Sequence, residues 1–243
     1  MTAAAIVPAS SASAWAGAGP VWISVEGIEG VGKSTAIAAL VRSWGPGCLR
    51  LEELTDVTGD SLSAQVIAAL AAGGDPFLRG GHPLAETFAL LALKVADTEQ
   101  LAGRDMSGIE LVIEDRGPDT VAVYQAAILA ESVSTEDFGH LRELAERLAC
   151  TAAQFRPAPH ATVLMRGDRQ VCAARFAARD GVVLGEREHL LMQRAERLYD
   201  ELAAAEPARF TVLDVTGLTA EQTAVALTTA CRRVLDAQRG GLK

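Results

Sequence analysis

The sequence predicts an α/β fold with three layers, in which a parallel five-stranded sheet carries helices on both faces. Three observations lead to this expectation. Apolar, β-branched runs alternate with helical stretches along most of the chain, which is the pattern of a parallel sheet. A glycine-rich turn joins the first of these runs directly to a helix. The chain has 243 residues, 49% of them hydrophobic, so it can bury a sizeable core.

The strands and helices follow from the same patterns. Strands are predicted at 21–27, 48–53, 109–115, 161–167 and 209–215. Helices are predicted at 33–44, 60–72, 83–102, 119–131, 135–155, 168–178, 187–205 and 219–237. We therefore expect one domain over 21–238, a flexible N-terminal tail at 1–20 and a short C-terminal tail at 239–243. The first 20 residues lack the positive start and the uninterrupted apolar stretch of a secretory signal.

The glycine-rich turn is GIEGVGKST, residues 27–35, and it has the form G-x-x-x-x-G-K-[ST]. Its glycines let backbone N–H groups turn inward around phosphate oxygens. Lys33 would reach the β- and γ-phosphates of ATP, and the Ser34 hydroxyl would hold Mg²⁺. Because a strand precedes the motif and a helix follows it, we expect a P-loop NTPase fold that uses ATP and Mg²⁺. The expected ATP-binding residues are Gly27, Glu29, Gly30, Gly32, Lys33, Ser34 and Thr35.

A second group of candidate residues lies at the end of the third predicted strand. There Asp115 and Arg116 follow a β-branched run. Asp115 is placed to hold Mg²⁺ through water, and Arg116 to present a bidentate fork to a phosphate. Ligands of such sheets bind beyond the carboxyl ends of the strands. We therefore expect Asp115 and Arg116, together with Glu52 and Glu53 after the second strand, to surround one crevice with the phosphate loop.

A third group, in RFAARDGVVLGER at 175–187, predicts a short lid. Arg175, Arg179 and Arg187 flank a glycine-containing loop between two helices. Such a lid can close on transferring phosphates and stabilise their charge, with Arg175 and Arg179 as the candidate catalytic arginines beside Lys33 and Arg116. The N-K-x-D motif expected of a GTPase does not occur, and the segment that begins at Asp115 does not read D-x-x-G. Phosphoryl transfer is therefore favoured over a hydrolytic switch.

Charge and cysteine content restrict the partners. The formal net charge of −9 argues against broad binding to nucleic acid or to anionic membranes. Four scattered cysteines, without a C-x-x-C pair, predict buried thiols in a reducing cytoplasm and no zinc site. The expected partner is a small nucleotide acceptor.

Two motifs carry a resemblance to the thymidylate kinase family. VEGIEGVGKST resembles the family's E-G-x-[DE]-G-x-G-K-[ST]-T loop, and EDRGPDTVAVYQ resembles its D-R-[YF]-x-x-S-x-x-A-Y-Q segment. HPLAETFALLALKVADTEQ and ATVLMRGDRQVCAARFAARDG resemble the family less specifically, and the likeness runs from about residue 21 to about residue 236. It implies a nucleoside-monophosphate kinase that transfers phosphate from ATP to a deoxynucleoside monophosphate.

The resemblance also implies roles for single residues. Lys33 would hold the β- and γ-phosphates, Ser34 and Asp115 the Mg²⁺, and Arg116 the acceptor phosphate. Glu29 would meet the acceptor's 3′-hydroxyl, and Tyr124 would pack beside C2′ and disfavour a ribose hydroxyl. The implied acceptor-binding residues are Glu29, Leu90, Lys94, Arg116, Tyr124 and Gln125. Val31 stands where one subtype of the family has a loop arginine, so the chain resembles the subtype with lid arginines.

Several positions depart from the family pattern. Glu52 replaces an arginine that contacts the acceptor phosphate, and Gly117 replaces the aromatic residue after Asp-Arg. Leu90 occupies the position of the family's stacking phenylalanine, and Lys94 occupies that of its thymine-reading arginine. We expect Lys94 to be a flexible point charge. If Val121 faces the pocket, it brings no polar group to the base. These changes predict a weaker preference for thymidylate over other pyrimidine deoxynucleotides, or a modified nucleotide as substrate.

Two other functions stay open at the level of sequence. In a deoxynucleoside kinase, Glu52 or Glu53 would accept the proton of a 5′-hydroxyl. A degenerate paralogue would bind nucleotide without turnover, which the retention of the phosphate-loop residues disfavours. A homodimer is expected by analogy with the family alone.

Overall fold

The sheet has five parallel strands in the order β2-β3-β1-β4-β5. A computed structural model describes residues 19–131 and 138–240. The strands are β1 Val21–Glu26, β2 Cys48–Leu51, β3 Leu111–Asp115, β4 Ala161–Arg166 and β5 Phe210–Asp214. The predicted α/β class and the parallel five-stranded sheet are confirmed.

The helices lie close to their predicted positions. They are α1 Lys33–Trp44, α2 Leu62–Ala71, α3 Pro83–Ala102, α4 Pro118–Glu131, α5 Phe138–Ala153, α6 Arg169–Asp180, α7 Glu186–Ala205 and α8 Ala220–Gly240. Short 3₁₀ turns occur at Gly45–Gly47 and Leu54–Asp56. Because α8 runs to Gly240, the predicted boundary between domain and tail at 238 lies inside a helix. The predicted tail 1–20 falls outside the described residues except for 19 and 20, and so do positions 135–137 of the predicted helix 135–155.

Two helix ends explain why observed helix boundaries differ from the predicted ones. Helix α2 begins after Ser61, whose hydroxyl accepts a hydrogen bond from the backbone N–H of Ala64 at 3.2 Å. That N-cap fixes the start two residues later than predicted. Helix α6 continues to Asp180 and ends at Gly181, which has a φ of 65°. A left-handed residue of this kind terminates a helix at little cost only when it is glycine.

The central strand β1 positions the functional elements. All six of its residues are buried, because β3 and β4 flank it and helices cover both faces. Helices α1 and α8 pack together in one layer, while α4 contacts α3, α5 and α7 in the other. In the register of β1 and β3, Val25 pairs with Asp115. The phosphate loop after β1 and the Asp115-Arg116 pair therefore emerge side by side.

The cysteine prediction holds for three of four thiols. Cys48, Cys172 and Cys231 are buried, whereas Cys150 is exposed on α5, so the expectation of a buried thiol is wrong there. Within 19–131 and 138–240, no helix combines the length and apolarity needed to cross a membrane.

Candidate active site

The phosphate loop is built on glycines that no other residue could replace without strain. Gly27 has a φ of 139° and Gly30 a φ of 74°. A Cβ atom at Gly27 would lie 2.4 Å from the carbonyl oxygen of Met165, and one at Gly30 only 2.0 Å from that of Cys172. The loop backbone therefore packs directly on β4 and α6, and its N–H groups remain available for a ligand.

Lys33 is buried at the centre of this loop. Its Nζ donates to the carbonyl oxygens of Gly27, at 2.8 Å, and Ile28, at 2.9 Å. Burial, followed by repulsion from Arg116, lowers the pKa of Lys33 to about 8. The ammonium is thus held by neutral carbonyl groups in a position that favours an incoming anion.

The donor pocket lies in front of the loop. It spans about 1060 Å³ of space free of protein atoms, part of which is open to solvent. Its lining includes Gly30, Gly32, Lys33, Ser34, Thr35, Glu53, Arg116, Arg175, Arg179 and Thr223. The structure thus brings both predicted lid arginines to the phosphate loop. Arg187 instead pairs with Glu131 at 2.7 Å, away from this pocket.

Arg116 is held in a strained conformation between the two pockets. Its φ is 62°, which is costly for a residue with a side chain. Nη2 lies 3.1 Å from Glu29 Oε1, and Nη1 donates to the carbonyl oxygen of Gly27 at 3.4 Å. Nε lies 2.7 Å from Glu53 Oε1, but its N–H is not aligned with that oxygen and lacks a hydrogen-bond partner. The contact with Glu53 is therefore an ion pair without a hydrogen bond, and the Nε–H group of Arg116 has no acceptor.

The acceptor pocket lies on the other side of Arg116. It spans about 600 Å³ of space, part of which is open to solvent. Its lining includes Glu29, Glu53, Pro76, Phe77, Leu78, Leu90, Lys94, Arg116, Thr120, Val121, Tyr124 and Gln125. Every residue that was predicted to bind the acceptor is present, and Val121 faces the pocket. Glu53 and Arg116 line both pockets.

Tyr124 and Gln125 are fixed by neighbours in and around the pocket. The Tyr124 hydroxyl donates to Glu29 Oε2, and the same carboxylate contacts Arg116. Gln125 Oε1 accepts a hydrogen bond from the Thr87 hydroxyl at 2.8 Å. This places Glu29, Arg116 and Tyr124 in one connected set beside the space for an acceptor.

Lys94 differs from the flexible charge expected from sequence. Its side chain is only 1% exposed, and Nζ lies 3.3 Å from Glu114 Oε1 and 3.5 Å from Asp97 Oδ2. Arg156 bonds both oxygens of the same Glu114 carboxylate, at 3.0 and 2.9 Å. Burial would raise the pKa of Glu114, but the charges of Arg156 and Lys94 outweigh it and lower the pKa. Lys94 is thus a positioned donor at the end of the pocket.

Three predicted positions differ from expectation. Glu52 is exposed and lines neither pocket, so of the two glutamates only Glu53 faces the crevice. Asp115 is fully buried behind the donor pocket, where Oδ2 accepts a hydrogen bond from Arg50 at 2.9 Å and Oδ1 has no partner. At Gly117 a Cβ would come within 2.8 Å of the Ser24 side chain. The aromatic residue of the family pattern is therefore excluded here by packing.

Sequence reasoning missed Glu26 and Phe77. Glu26 is fully buried and accepts hydrogen bonds from Gly117 N at 2.8 Å and Tyr199 Oη at 3.1 Å, and it also bonds Thr120. It fixes the turn after Arg116 and the start of α4. Phe77 lines the acceptor pocket from a segment without a motif. The glutamate before Gly27 was visible as part of the loop pattern, whereas Phe77 gave no local signal.

Comparison with known proteins decides the family. The thymidylate kinase family model matches residues 25–224. The chain belongs to the thymidylate kinase family. It is 30% identical over 205 residues to the thymidylate kinase of Synechococcus sp., covering 83% of this chain and 89% of the relative. To the Geotalea daltonii thymidylate kinase it is 27% identical over 217 residues, covering 86% and 95%.

Solved structures confirm the fold of this thymidylate kinase family member. The Candida albicans thymidylate kinase superposes with a TM-score of 0.64 at 15% identity, covering 91% of this chain and 93% of that one. The Ehrlichia chaffeensis thymidylate kinase gives a TM-score of 0.58 at 17% identity, covering 88% and 99%. The fold is thus the P-loop NTPase fold that the sequence predicted.

Proposed function

We propose that this chain transfers the γ-phosphoryl group of ATP to the 5′-phosphate of thymidylate. Membership of the thymidylate kinase family makes it a nucleoside-monophosphate kinase. The observation that carries the proposal is the pair of adjoining pockets that share Arg116 and Glu53. A donor phosphate on the loop and an acceptor phosphate beside Tyr124 would meet at the Arg116 guanidinium.

The residues of the donor pocket supply positioning and charge stabilisation. Lys33 would leave its carbonyl partners to contact the β- and γ-phosphates, and Arg175 and Arg179 would approach the γ-phosphoryl group from the lid. Such contacts stabilise the charge that spreads over the transferring group. Arg116 would hold the acceptor phosphate in line, and such positioning is, together with charge stabilisation, how a protein accelerates this reaction.

The donor set fits a magnesium ion. Ser34 lines the donor pocket, and Asp115 has one buried carboxylate oxygen without a partner. Mg²⁺ is commonly held by one or two such protein groups together with water and phosphates. We propose that Ser34 binds it directly and Asp115 through water. When bound, the ion would neutralise charge on the β- and γ-phosphates.

The acceptor pocket supports recognition of a carbonyl group. The Lys94 ammonium only donates hydrogen bonds, and its contacts with Glu114 and Asp97 orient it. The carbonyl at position 4 of thymine or uracil would accept such a bond, whereas the amino group that cytosine carries at this position would not. Leu78, Leu90 and Val121 offer apolar contact to a base. We therefore propose rejection of deoxycytidylate, which departs from the weak base preference expected from the sequence, and a preference for thymidylate over deoxyuridylate that rests on apolar contact with the thymine methyl group.

A panel assay tests this function. ADP release with ATP and each of thymidylate, deoxyuridylate, deoxycytidylate and the free nucleosides is measured on one preparation. We expect turnover of thymidylate and deoxyuridylate, at least about tenfold lower kcat/KM for deoxycytidylate, and none for nucleosides. Phosphorylation of a nucleoside alone would contradict the proposal. The nucleoside kinase and the inactive paralogue have no support in the comparisons.

We also propose that the chain forms a homodimer through α3. Leu84 and Phe88 are 58% and 57% exposed and lie one turn apart on this helix. Apolar side chains exposed together favour association with a second copy. Light scattering should give a dimer for the wild type, a monomer for Phe88→Glu, and a dimer for the control Phe155→Glu at another exposed aromatic. A monomeric wild type would refute the proposal. Location in the cytoplasm stays a prediction.

A further inference from the structure

A five-residue segment between α2 and α3, residues 75–79, touches both the acceptor pocket and the lid. Pro76, Phe77 and Leu78 contribute to the wall of the acceptor pocket. Phe77 is 7% exposed and belongs to the main hydrophobic core. The segment has no counterpart among the motifs that identify the family, so its contacts call for an explanation of their own.

Phe77 lies between a pocket residue and the first lid helix. Its ring is nearly parallel to that of Tyr124, with centroids 6.0 Å apart and an interplanar angle of 20°. On another side it meets Phe176 edge-on at 5.5 Å. Phe176 lies in α6, next to Arg175 and one turn before the end of the helix, where Arg179 is located. A single ring thus joins the acceptor pocket to the helix that bears both lid arginines.

Arg79 provides a second connection, to the other lid helix. Its Nη2 lies 2.5 Å from Oε1 of Glu188, in the first turn of α7. Oε2 of Glu188 accepts a hydrogen bond from the backbone N–H of Gly185 at 2.9 Å, at the end of the lid loop. The segment therefore contacts both helices on either side of the lid loop 181–185.

The segment is braced internally, so its two contacts move together. Asp75 Oδ1 accepts hydrogen bonds from the backbone N–H of Phe77 at 2.8 Å and of Arg79 at 3.3 Å. The Arg79 Nε contacts both oxygens of the same carboxylate, at 3.0 and 2.9 Å. Leu78, between them, has a φ of 59°, a conformation that surrounding contacts must hold in place.

We propose that Phe77 is a positioning residue that couples acceptor binding to placement of the lid, with Arg79 as its second anchor. The inference rests on the proposed function. An acceptor sugar beside Tyr124 restricts the Phe77 ring, and the ring in turn restricts α6 and its arginines. Binding energy of the acceptor is thereby used to place charge near the γ-phosphoryl group, as expected when a lid completes a catalytic site. By linkage, bound donor tightens binding of the acceptor by the same factor.

Calorimetry on the full chain tests this coupling. The Kd of thymidylate is measured with and without a saturating non-transferable ATP analogue, for the wild type and for Phe77→Leu. Phe210→Leu serves as the matched control, because Phe210 is also 7% exposed but lies in β5 and lines neither pocket. We expect the analogue to tighten thymidylate binding about fivefold or more in the wild type and in the control. In Phe77→Leu the factor should fall to within about twofold of unity.

A second variant keeps the test decisive if Phe77→Leu does not fold. Arg79→Gln removes the contact with α7, the ion pair with Asp75 and the guanidinium 5.6 Å from the centre of the Phe77 ring, while the ring itself is kept. Arg147→Gln, at an exposed surface pair, is its control. Arg79→Gln should also reduce the coupling factor, and its control should not. A kinase with no coupling in the wild type, or with full coupling in the folded variants, would overturn this inference alone. A wild type that turns over no monophosphate would overturn the proposed function and the inference with it.

Discussion

Glu26→Gln is expected to remove a pH-dependent loss of stability that arises directly behind the active site. Glu26 is fully buried, and burial followed by the nearby Asp119 charge raises its pKa from 4.5 to about 7. A glutamine has the same shape as the neutral acid. Its carbonyl can accept from Gly117 N, and its amide can donate to the hydroxyls of Thr120 and Tyr199. The variant therefore mimics the protonated form of Glu26, which is the form that the folded protein favours.

The size and sign of the effect follow from the two pKa values. Below pH 4.5 the side chain of Glu26 is protonated in both the folded and the unfolded chain. Between pH 4.5 and about 7 the unfolded chain loses this proton while the folded chain keeps it, so stability falls as the pH rises. At ~1.4 kcal/mol per pH unit, the free energy of unfolding decreases by about 3 kcal/mol over this interval. Glutamine does not titrate, so the free energy of unfolding of the variant does not show this decrease.

Urea unfolding at pH 5 and pH 8 measures the effect. Because part of the loss has already occurred at pH 5, the difference in unfolding free energy between Glu26→Gln and the wild type should shift by roughly 2–3 kcal/mol in favour of the variant between the two pH values. Comparing differences cancels the titration of groups that do not interact with Glu26. Glu143→Gln, at a glutamate that is 59% exposed, is the control for removing a carboxylate from the surface. A difference that is the same at pH 5 and pH 8 would refute a raised pKa at Glu26.

The remaining predictions concern turnover. Lys33→Ala should lower kcat on the order of a hundredfold or more, measured by steady-state kinetics with circular dichroism as the folding control. In the wild type, kcat/KM for ATP should fall as the pH rises through about 8, because Lys33 then loses its proton in the free enzyme. Asp115→Asn should raise the Mg²⁺ concentration needed for half-maximal activity. An unchanged magnesium titration would show that Asp115 pairs with Arg50 and does not help to bind Mg²⁺. Arg175→Ala and Arg179→Ala should lower kcat more than ATP affinity, since lid contacts form on closure; wild-type kcat in both would exclude them from the reaction.

Local patterns made most of the fold predictable. Helix α3 was placed residue for residue, because Pro83 suits a first helical turn and Gly103 suits its end. The phosphate loop was equally accessible, since it lies in consecutive residues between a strand and a helix. The same holds for Arg116, which is fixed to the end of β3. Contacts of this kind depend on neighbours in sequence, so the sequence contains the information needed.

Long-range contacts were beyond the reach of such patterns. Lys94 was expected to be flexible, but it is buried against Glu114 and lies beside Arg156, which is 62 residues further along the chain. Glu26 meets Tyr199 across 173 residues. In neither case does the sequence around one residue indicate the distant residue that it contacts. In the proposed function the contacts of Lys94 would influence which base the pocket accepts, so local sequence patterns alone could not determine the base preference.

Arg116 has two energetically unfavourable features, a left-handed backbone conformation and a buried N–H group without an acceptor, and both call for a functional explanation. Its left-handed backbone conformation is of a kind that is unfavourable by about 1–3 kcal/mol, and surrounding structure must hold it. Its buried Nε also lacks an aligned acceptor although Glu53 is 2.7 Å away. Buried donors are rarely left unsatisfied without a reason. A phosphate oxygen between the two pockets would supply an acceptor, and Glu29 and Glu53 would meanwhile keep the guanidinium oriented. In the proposed reaction, this strain would preorganise Arg116 for the two phosphates that it would bring together.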